Sequence, residues 1–503
     1  MKKLYYNAKF FSMESESAIY QAVLCDDGKI TEVYSEEPAG IDCEKIDLQG
    51  GFVFPSFIDA HTHSFEGGLY QKGADLSQCE TLDDALDCIA GATPLNGMIF
   101  AWRLDENRFS EPKFPERYHL NKLFPTTPVI VRRVDGHTCI INDAAEKLIR
   151  KKKGGSLPNL PENGLLKGEL NDIAAHTFHS NLSEDIVIDC YLAAEKIALA
   201  NGHTGLHSMI GDAQNDFLHF PALLARRNDF TIDFTFYPQC FDIKRVQKVY
   251  ADLQPKKQIN KIGGCILADG SIGSFTAAVT QSYEGHTHKY GKLYQSQKFW
   301  NKFISDAHLA DLQTAVHCIG DRAIAQIIDA VELSHKVIKK DIRHMIIHCE
   351  LVRDDMINGI KANNIFPVMQ PMFDALWGGE TGFYSRVLGS ERASILNRFK
   401  TLTDKGIIIA GSSDWYITEL SALKGIEAAI KHHNPQERLS NFEAIKLYTV
   451  NPPYINHEEN IRGRIMKNYI ADFVCLDENI MEKTDFTETK VIKTIKNAEV
   501  VYG

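Results

Sequence analysis

The sequence predicts an α/β protein: a (β/α)8 TIM-type barrel with a small β-sandwich domain formed by both chain termini and an insertion near the barrel mouth. Three observations carry that expectation. Apolar β-like runs alternate with amphipathic helical stretches through the middle of the chain, which implies parallel strands joined by right-handed crossovers. Segments rich in β-formers occupy both ends, each too small to bury a core alone. Histidines and an aspartate stand at strand ends, where a barrel gathers its chemistry. A doubly wound sheet would announce a glycine-rich phosphate loop after its first strand, and histidines take that place here.

Taken in order, Leu4 to Phe11, Ala18 to Cys25 and Lys29 to Tyr34 read as short strands, with Cys25-Asp26-Asp27-Gly28 as the hairpin turn between the last two. The apolar run Gly51 to Ile58 reads as a buried strand that ends in Asp59-Ala60-His61-Thr62-His63. Further strands are expected at Pro128 to Val134, Thr231 to Phe236, Gly264 to Ala268, Gln313 to Cys318, Met345 to Cys349, Ile365 to Met369 and Gly406 to Gly411. Helices are expected at Asp321 to Ile338, Asp354 to Ala362 and Leu420 to Lys431. From about Gly463, β-rich runs at Ala471 to Leu476, Lys490 to Ile495 and Val500 to Tyr502 return the chain to the first sheet. The expected division is therefore residues 1–53 with 457–503 as the sandwich and 54–456 as the barrel, with an insertion within about 66–176.

At 503 residues the chain has room for one large barrel with appendages. Its 55 basic against 66 acidic residues give a net charge of −11, which argues against nucleic acid as a partner. Eleven cysteines without any Cys-x-x-Cys pair suggest neither a disulfide framework nor a zinc ribbon, so a reducing, cytoplasmic setting is expected. The first residues carry two lysines but no long apolar core, and no run reaches the length of a membrane span. A small-molecule substrate is the expected partner, with no nucleic acid and no membrane.

On a strand, residues i and i+2 project from one face, so His61 and His63 can converge on one cation. Imidazoles on a buried strand serve packing poorly, because their nitrogens need partners. His317 ends the run Thr314 to His317, His348 ends Met345 to His348, and Asp414 follows Ile407 to Ser413. Neutral imidazoles with a carboxylate suit zinc and similar divalent ions. The aspartate can take a proton from a water that such an ion has acidified.

These residues sit in a longer series of motifs. They are Pro55 to His63, Asp135-Gly136-His137-Thr138 with Asn142, Asn163 to Glu169, Ala268-Asp269-Gly270-Ser271, Val316 to Ala323, His348-Cys349-Glu350, Gln370-Pro371 and Gly411-Ser412-Ser413-Asp414. In that order, nearly end to end, the chain resembles the amidohydrolase superfamily, specifically its YtcJ-like branch, the amidohydrolase 3 group that includes N-substituted formamide deformylases. The resemblance implies a metal site of His61, His63, His317 and His348, with Asp414 as ligand and general base. It also implies a homodimer as the assembly to test. Many members bridge two metals with a carboxylated lysine four residues before the Asp-Gly-Ser, where this chain has Cys265.

Two readings of Cys265 stand side by side. A thiolate beside a divalent ion is a good zinc ligand and could bridge in place of the carbamate. A buried cysteine is also an ordinary small hydrophobe, which would leave one metal. Lys261 lies too low in the barrel to substitute, and Lys167 is a loop-borne alternative. His137 either holds a substrate carbonyl or caps its strand, and Glu169 is a substrate-binding acid or a surface carboxylate. Arg322 is expected to pair with Asp321 or another acid. Trp377 is expected to line the substrate pocket, Cys318 and Cys349 to lie in the core, and His286, His288, His432 and His433 to be solvated.

The expected function is hydrolysis of a C–N bond, of amide or formamide type, in a small molecule by metal-activated water. One or two divalent ions, zinc by default, would serve it. Two alternatives share the residues: a deaminase of an aminated heterocycle, told apart by ammonia release, and a non-catalytic metal-binding protein, which should have lost ligands.

Overall fold

The computed structural model describes residues 2–134, 136, 138–154, 157–211, 219–253 and 259–503. The chain divides into two compact units, residues 1–63 with 195–503, and residues 64–194.

Eight strands of the first unit run parallel in two sheets: β1 (Phe57–Thr62), β2 (His203–Ile210), β3 (Asp233–Pro238), β4 (Asn260–Leu267), β5 (Leu312–Cys318), β6 (Met345–His348), β7 (Phe366–Met369) and β8 (Ala410–Gly411). One sheet has the order β3-β2-β1 and the other β4-β5-β6-β7-β8. Beyond β8, the Asp414 N–H donates to the His61 carbonyl at 3.1 Å and the His63 N–H to the Trp415 carbonyl at 2.6 Å, so the last strand's exit is laced to the first strand. β4 packs beside β3. Helices Asp321–Val337 and Asp354–Ala362 follow β5 and β6. This is an α/β fold of TIM-barrel type. Met209, Tyr237, Ala315, Met345, Ile347 and Val368 fill the space the strands enclose.

The two chain ends meet in one hydrogen-bonded sheet of eight strands. The strand Glu44–Pro55 is its hub, parallel to Lys3–Phe11 and antiparallel to Phe473–Leu476. The Lys29–Ile470 bridge and the Tyr5 hydroxyl's bond to the Ala498 carbonyl bring strands from opposite ends of the sheet together over a shared core of Phe10, Val53, Phe473 and Ile495. The second unit has its own five-stranded sheet. Among the described residues no helix is long and apolar enough to cross a membrane.

Two expectations need correction, and one strand was not expected at all. The run Pro128 to Val134 is a strand (Val129–Arg133), but it belongs to the sheet of the second unit and not to the parallel strands of the first. β2 went unread because His203, Thr204, Gly205, His207 and Ser208 dilute its apolar signal, although every residue in it is buried. Two of its polar groups find partners inside: Thr204 Oγ1 lies 2.5 Å from Ser56 Oγ, and the His207 carbonyl accepts from Thr62 Oγ1 at 3.0 Å. The run Gly406 to Gly411 contracts to Ala410–Gly411.

Candidate metal centre

The strand end Asp59 to His63 is pinned before it presents its rings. Asp59, buried, accepts from the His61 N–H at 3.1 Å through one oxygen and from the Ser413 N–H at 3.0 Å through the other. That carboxylate therefore holds the exits of β1 and β8 together. Burial pushes its carboxyl up to about 7 against those hydrogen bonds. His61 and His63 then stand perpendicular with ring centres 5.3 Å apart. Their Nε2 atoms approach the same Asp414 Oδ1, at 3.1 and 3.2 Å. Asp414 and His348 both have positive φ, 53° and 70°, the left-handed region that a side chain disfavours by about 1 kcal/mol or more. Those turns are where the strand ends aim their donors.

Cys265 reaches the same place through a bulge. The register of β4 against β5 steps from Gly263–Ala315 to Ile266–Val316. Gly263 and Gly264 take φ of 95° and 96°, and a Cβ on Gly264 would strike Met209 Sδ and come within 2.9 Å of Tyr237 Cβ. Only glycine fits there. Beyond the bulge, Cys265 Sγ lies 3.7 Å from His317 Nδ1. Burial would raise the thiol's pKa, but the surrounding imidazoles of His317, His348, His61 and His63 hold it well below its ordinary value. Asp414 behaves alike: burial opposes its charge, and His61 and His63 outweigh that, keeping its carboxyl well below the usual range. A thiol and a carboxyl, each with its charged form favoured by these neighbours, thus sit among four imidazoles.

Outer partners fix the rings. His348 Nδ1 faces Gln370 Oε1 at 2.7 Å, and the Gln370 amide nitrogen donates to Ser412 Oγ at 2.9 Å, so the amide's orientation assigns a proton to Nδ1 and turns Nε2 toward the cluster. His317 Nε2 faces the Gly270 carbonyl at 3.2 Å, leaving Nδ1 for the cluster. Asp269 accepts from the backbone of Ala278, Ile319 and Gly320 at 2.8, 3.0 and 2.8 Å, which fixes the loop after His317. Phe373 stacks on His348 with ring centres 5.8 Å apart.

The donors form three overlapping groups, each within 4.8 Å: His61, His63 and Cys265; Cys265, His317 and His348; His61, His348 and Asp414. Cys265 belongs to the first two. The fit to a cation rests on unmet valence. His61 Nε2 and Asp414 Oδ1 are buried and close, yet neither has a hydrogen-bond partner. Tetrahedral coordination with bonds of 2.0–2.1 Å separates nitrogen and oxygen ligands by roughly 3.3 Å, and a sulfur–nitrogen pair by a little more. The separations of 3.1, 3.2 and 3.7 Å follow that pattern.

The remaining expected positions lie elsewhere. His137 is outside the described residues. Glu169 opens the helix Glu169–His179 of the second unit, and it and Lys167 are exposed. Lys261 is buried low on β4, where its ammonium donates to Gln313 Oε1 at 2.7 Å. Cys318 and Cys349 are buried, and His286 and His288 exposed. Trp377 packs on Phe373 at 4.7 Å. Asp321 pairs with Arg353 at 2.6 Å, not with Arg322, which is exposed. His432 and His433 are not solvated: His432 is fully buried, and both address Asp374. Sequence reasoning assigned no role to Gln370 or to Glu350, whose buried carboxyl is pushed up to about 7 by desolvation and meets the Tyr384 hydroxyl. The signal for Glu350 was its place two residues after a strand-end histidine.

The profile described as "Amidohydrolase family" matches residues 44–502. The chain is 27% identical to the putative amidohydrolase YtcJ of Bacillus subtilis, over 100% of this chain and 99% of that protein. It is 23% identical to the N-substituted formamide deformylase of Arthrobacter pascens, over 99% and 97%. Among solved structures, an uncharacterized metal-dependent hydrolase from Pyrococcus furiosus superposes with a TM-score of 0.81 at 22% identity, covering 96% of this chain and 100% of that one.

Proposed function

The chain belongs to the amidohydrolase family, and from that membership we propose that it is a metal-dependent hydrolase that cleaves an amide- or formamide-type C–N bond of a small molecule. The observation that carries the reading is the sharing of Cys265 between the His61/His63 group and the His317/His348 group. We read His61, His63, Cys265, His317, His348 and Asp414 as the residues that would hold one or two divalent ions, zinc by default. Bound there, such an ion would supply Lewis acidity toward the scissile carbonyl and lower the pKa of a water to about 7.

The chain's own residues do the rest. Asp414, kept ionised beside His61 and His63, accepts a proton from the attacking water at Oδ1 and hands it to the departing nitrogen as the C–N bond breaks. Gln370 holds the His348 tautomer through the whole cycle. The parallel strands are read as one closed (β/α)8 barrel over 54–456 with an insertion after β1, and the terminal sheet of 1–53 and 457–503 as a β-sandwich. A cytoplasmic homodimer is the proposed setting.

The test is hydrolysis of a panel of N-substituted formamides, N-acyl amines and aminated heterocycles by metal-loaded protein. Release of acid and free amine, lost in Asp414→Asn, is expected. Ammonia from the heterocycles alone would make the chain a deaminase.

A further inference from the structure

Away from the strand ends, two helices meet at a second set of donors. Asp374 lies on the helix Pro371–Trp377 and is buried. His432 and His433 follow the helix Ala422–Ile430 directly after its cap. Both rings turn to one oxygen: His432 Nε2 is 3.2 Å from Asp374 Oδ1, and His433 Nδ1 is in close contact with the same atom. The other oxygen accepts from the His433 N–H at 3.0 Å.

We propose that Asp374, His432 and His433 form an accessory site for a borderline divalent cation such as zinc, which ties the helix behind His348 to the end of the helix Ala422–Ile430. Hydrogen bonding leaves this cluster unfinished. His432 is 0% exposed, and its Nε2 has no hydrogen-bond partner despite its proximity to the carboxylate. A buried ring nitrogen in that state is destabilising unless something else meets it. Its Nδ1 accepts from the Asn434 N–H at 3.1 Å, which holds the ring and leaves the Nε2 proton facing Asp374 Oδ1, where a cation would displace it. The glycine at 378 keeps space beside the donors: a Cβ would fall 2.6 Å from Asp374 Oδ1 and 2.9 Å from His433 Nδ1.

The arrangement repeats the one at the strand ends, where two imidazoles also converge on a single carboxylate oxygen at 3.1 and 3.2 Å. Two imidazoles and a carboxylate are a zinc-type donor set. The His433 side chain is 19% exposed, which gives an ion and a reagent access. Asp374 is the neighbour of Phe373, which stacks on His348, so the ion would brace the ring's backing without touching the reacting atoms.

The experiment uses the full chain, stripped by chelator and dialysed against zinc. His433→Gln keeps a polar partner for Asp374, and one equivalent of zinc fewer than wild type is expected for it and for Asp374→Asn. Cys265→Ala should lose its own complement independently, so the losses add in the double variant. Equal zinc content in wild type and both variants overturns the proposal and leaves an Asp–His clasp. Should the variants fail to fold, the wild type decides. Zinc added to stripped protein should protect His433 from diethylpyrocarbonate, read by peptide mass, and undiminished modification overturns the proposal.

Discussion

At Cys265 a thiol lies 3.7 Å from His317 Nδ1, with donors of His61, His63 and His348 grouped around it. Serine in that place keeps the volume and loses the soft donor, so Cys265→Ser should bind zinc at least about tenfold more weakly, measured by competition with a chromophoric chelator. Gln370→Ala frees the His348 ring, and loss of such an outer partner typically weakens metal binding or activity about 10–100-fold. A buried histidine outside the centre sets an acid limit. Burial drives His203 down to about 3 from 6.5, only partly offset by the carbonyls of Ala198 and Asn201. Because the unfolded chain binds that proton first, stability is fully present above pH 6.5 and falls as pH drops toward 3. The loss is up to roughly 5 kcal/mol at about 1.4 per unit. His203→Phe should flatten that slope in denaturant titrations at pH 7 and 4.5. The five principal donors were legible because each histidine or aspartate ends an apolar run. His432 was not, since its burial and its neighbour Asp374 come from helices distant in sequence.

The bulge of β4 shows what a strand can do that its pattern conceals. Alternation alone puts Cys265 on an inward face, but the two glycines with φ near 95° set where it arrives. Gly264→Ala meets Met209 and Tyr237 in a backbone region unsuited to alanine. Overpacking of about 1–3 kcal/mol is expected, with about 1 more from the backbone. The thermal midpoint and the zinc content of Gly264→Ala should fall together, and a drop in one alone would separate the bulge from the centre. β2 was lost to sequence reading for the converse reason: hydroxyls and imidazoles that look solvated are buried, and the Thr204 hydroxyl is satisfied across strands.

For the whole molecule, the terminal sheet joins residues hundreds of positions apart. Removing residues 491–503 strips Phe473–Leu476 of one of its two antiparallel partners and takes the buried Ile495 out of the shared core, exposing Phe473. It also leaves Asp472 without Lys496, 2.8 Å away in a buried pair, a loss worth about 3–5 kcal/mol against a total of about 5–15. The truncated chain should show no cooperative melt by circular dichroism, and a native-like midpoint would mean that the sheet is an appendage. The alternation of strands and helices and the return of the C-terminus were readable, because both follow from hydrophobic period. That residues 64–194 make a unit with its own sheet was not, because a strand such as Val129–Arg133 carries no mark of which sheet it joins. The central claim is a metal centre that needs Cys265, and metal content per chain by elemental analysis tests it most directly. Native protein purified without added metal should hold more equivalents than Cys265→Ala of equal fold. The same content in both would return Cys265 to the core, and no metal in either would contradict the account.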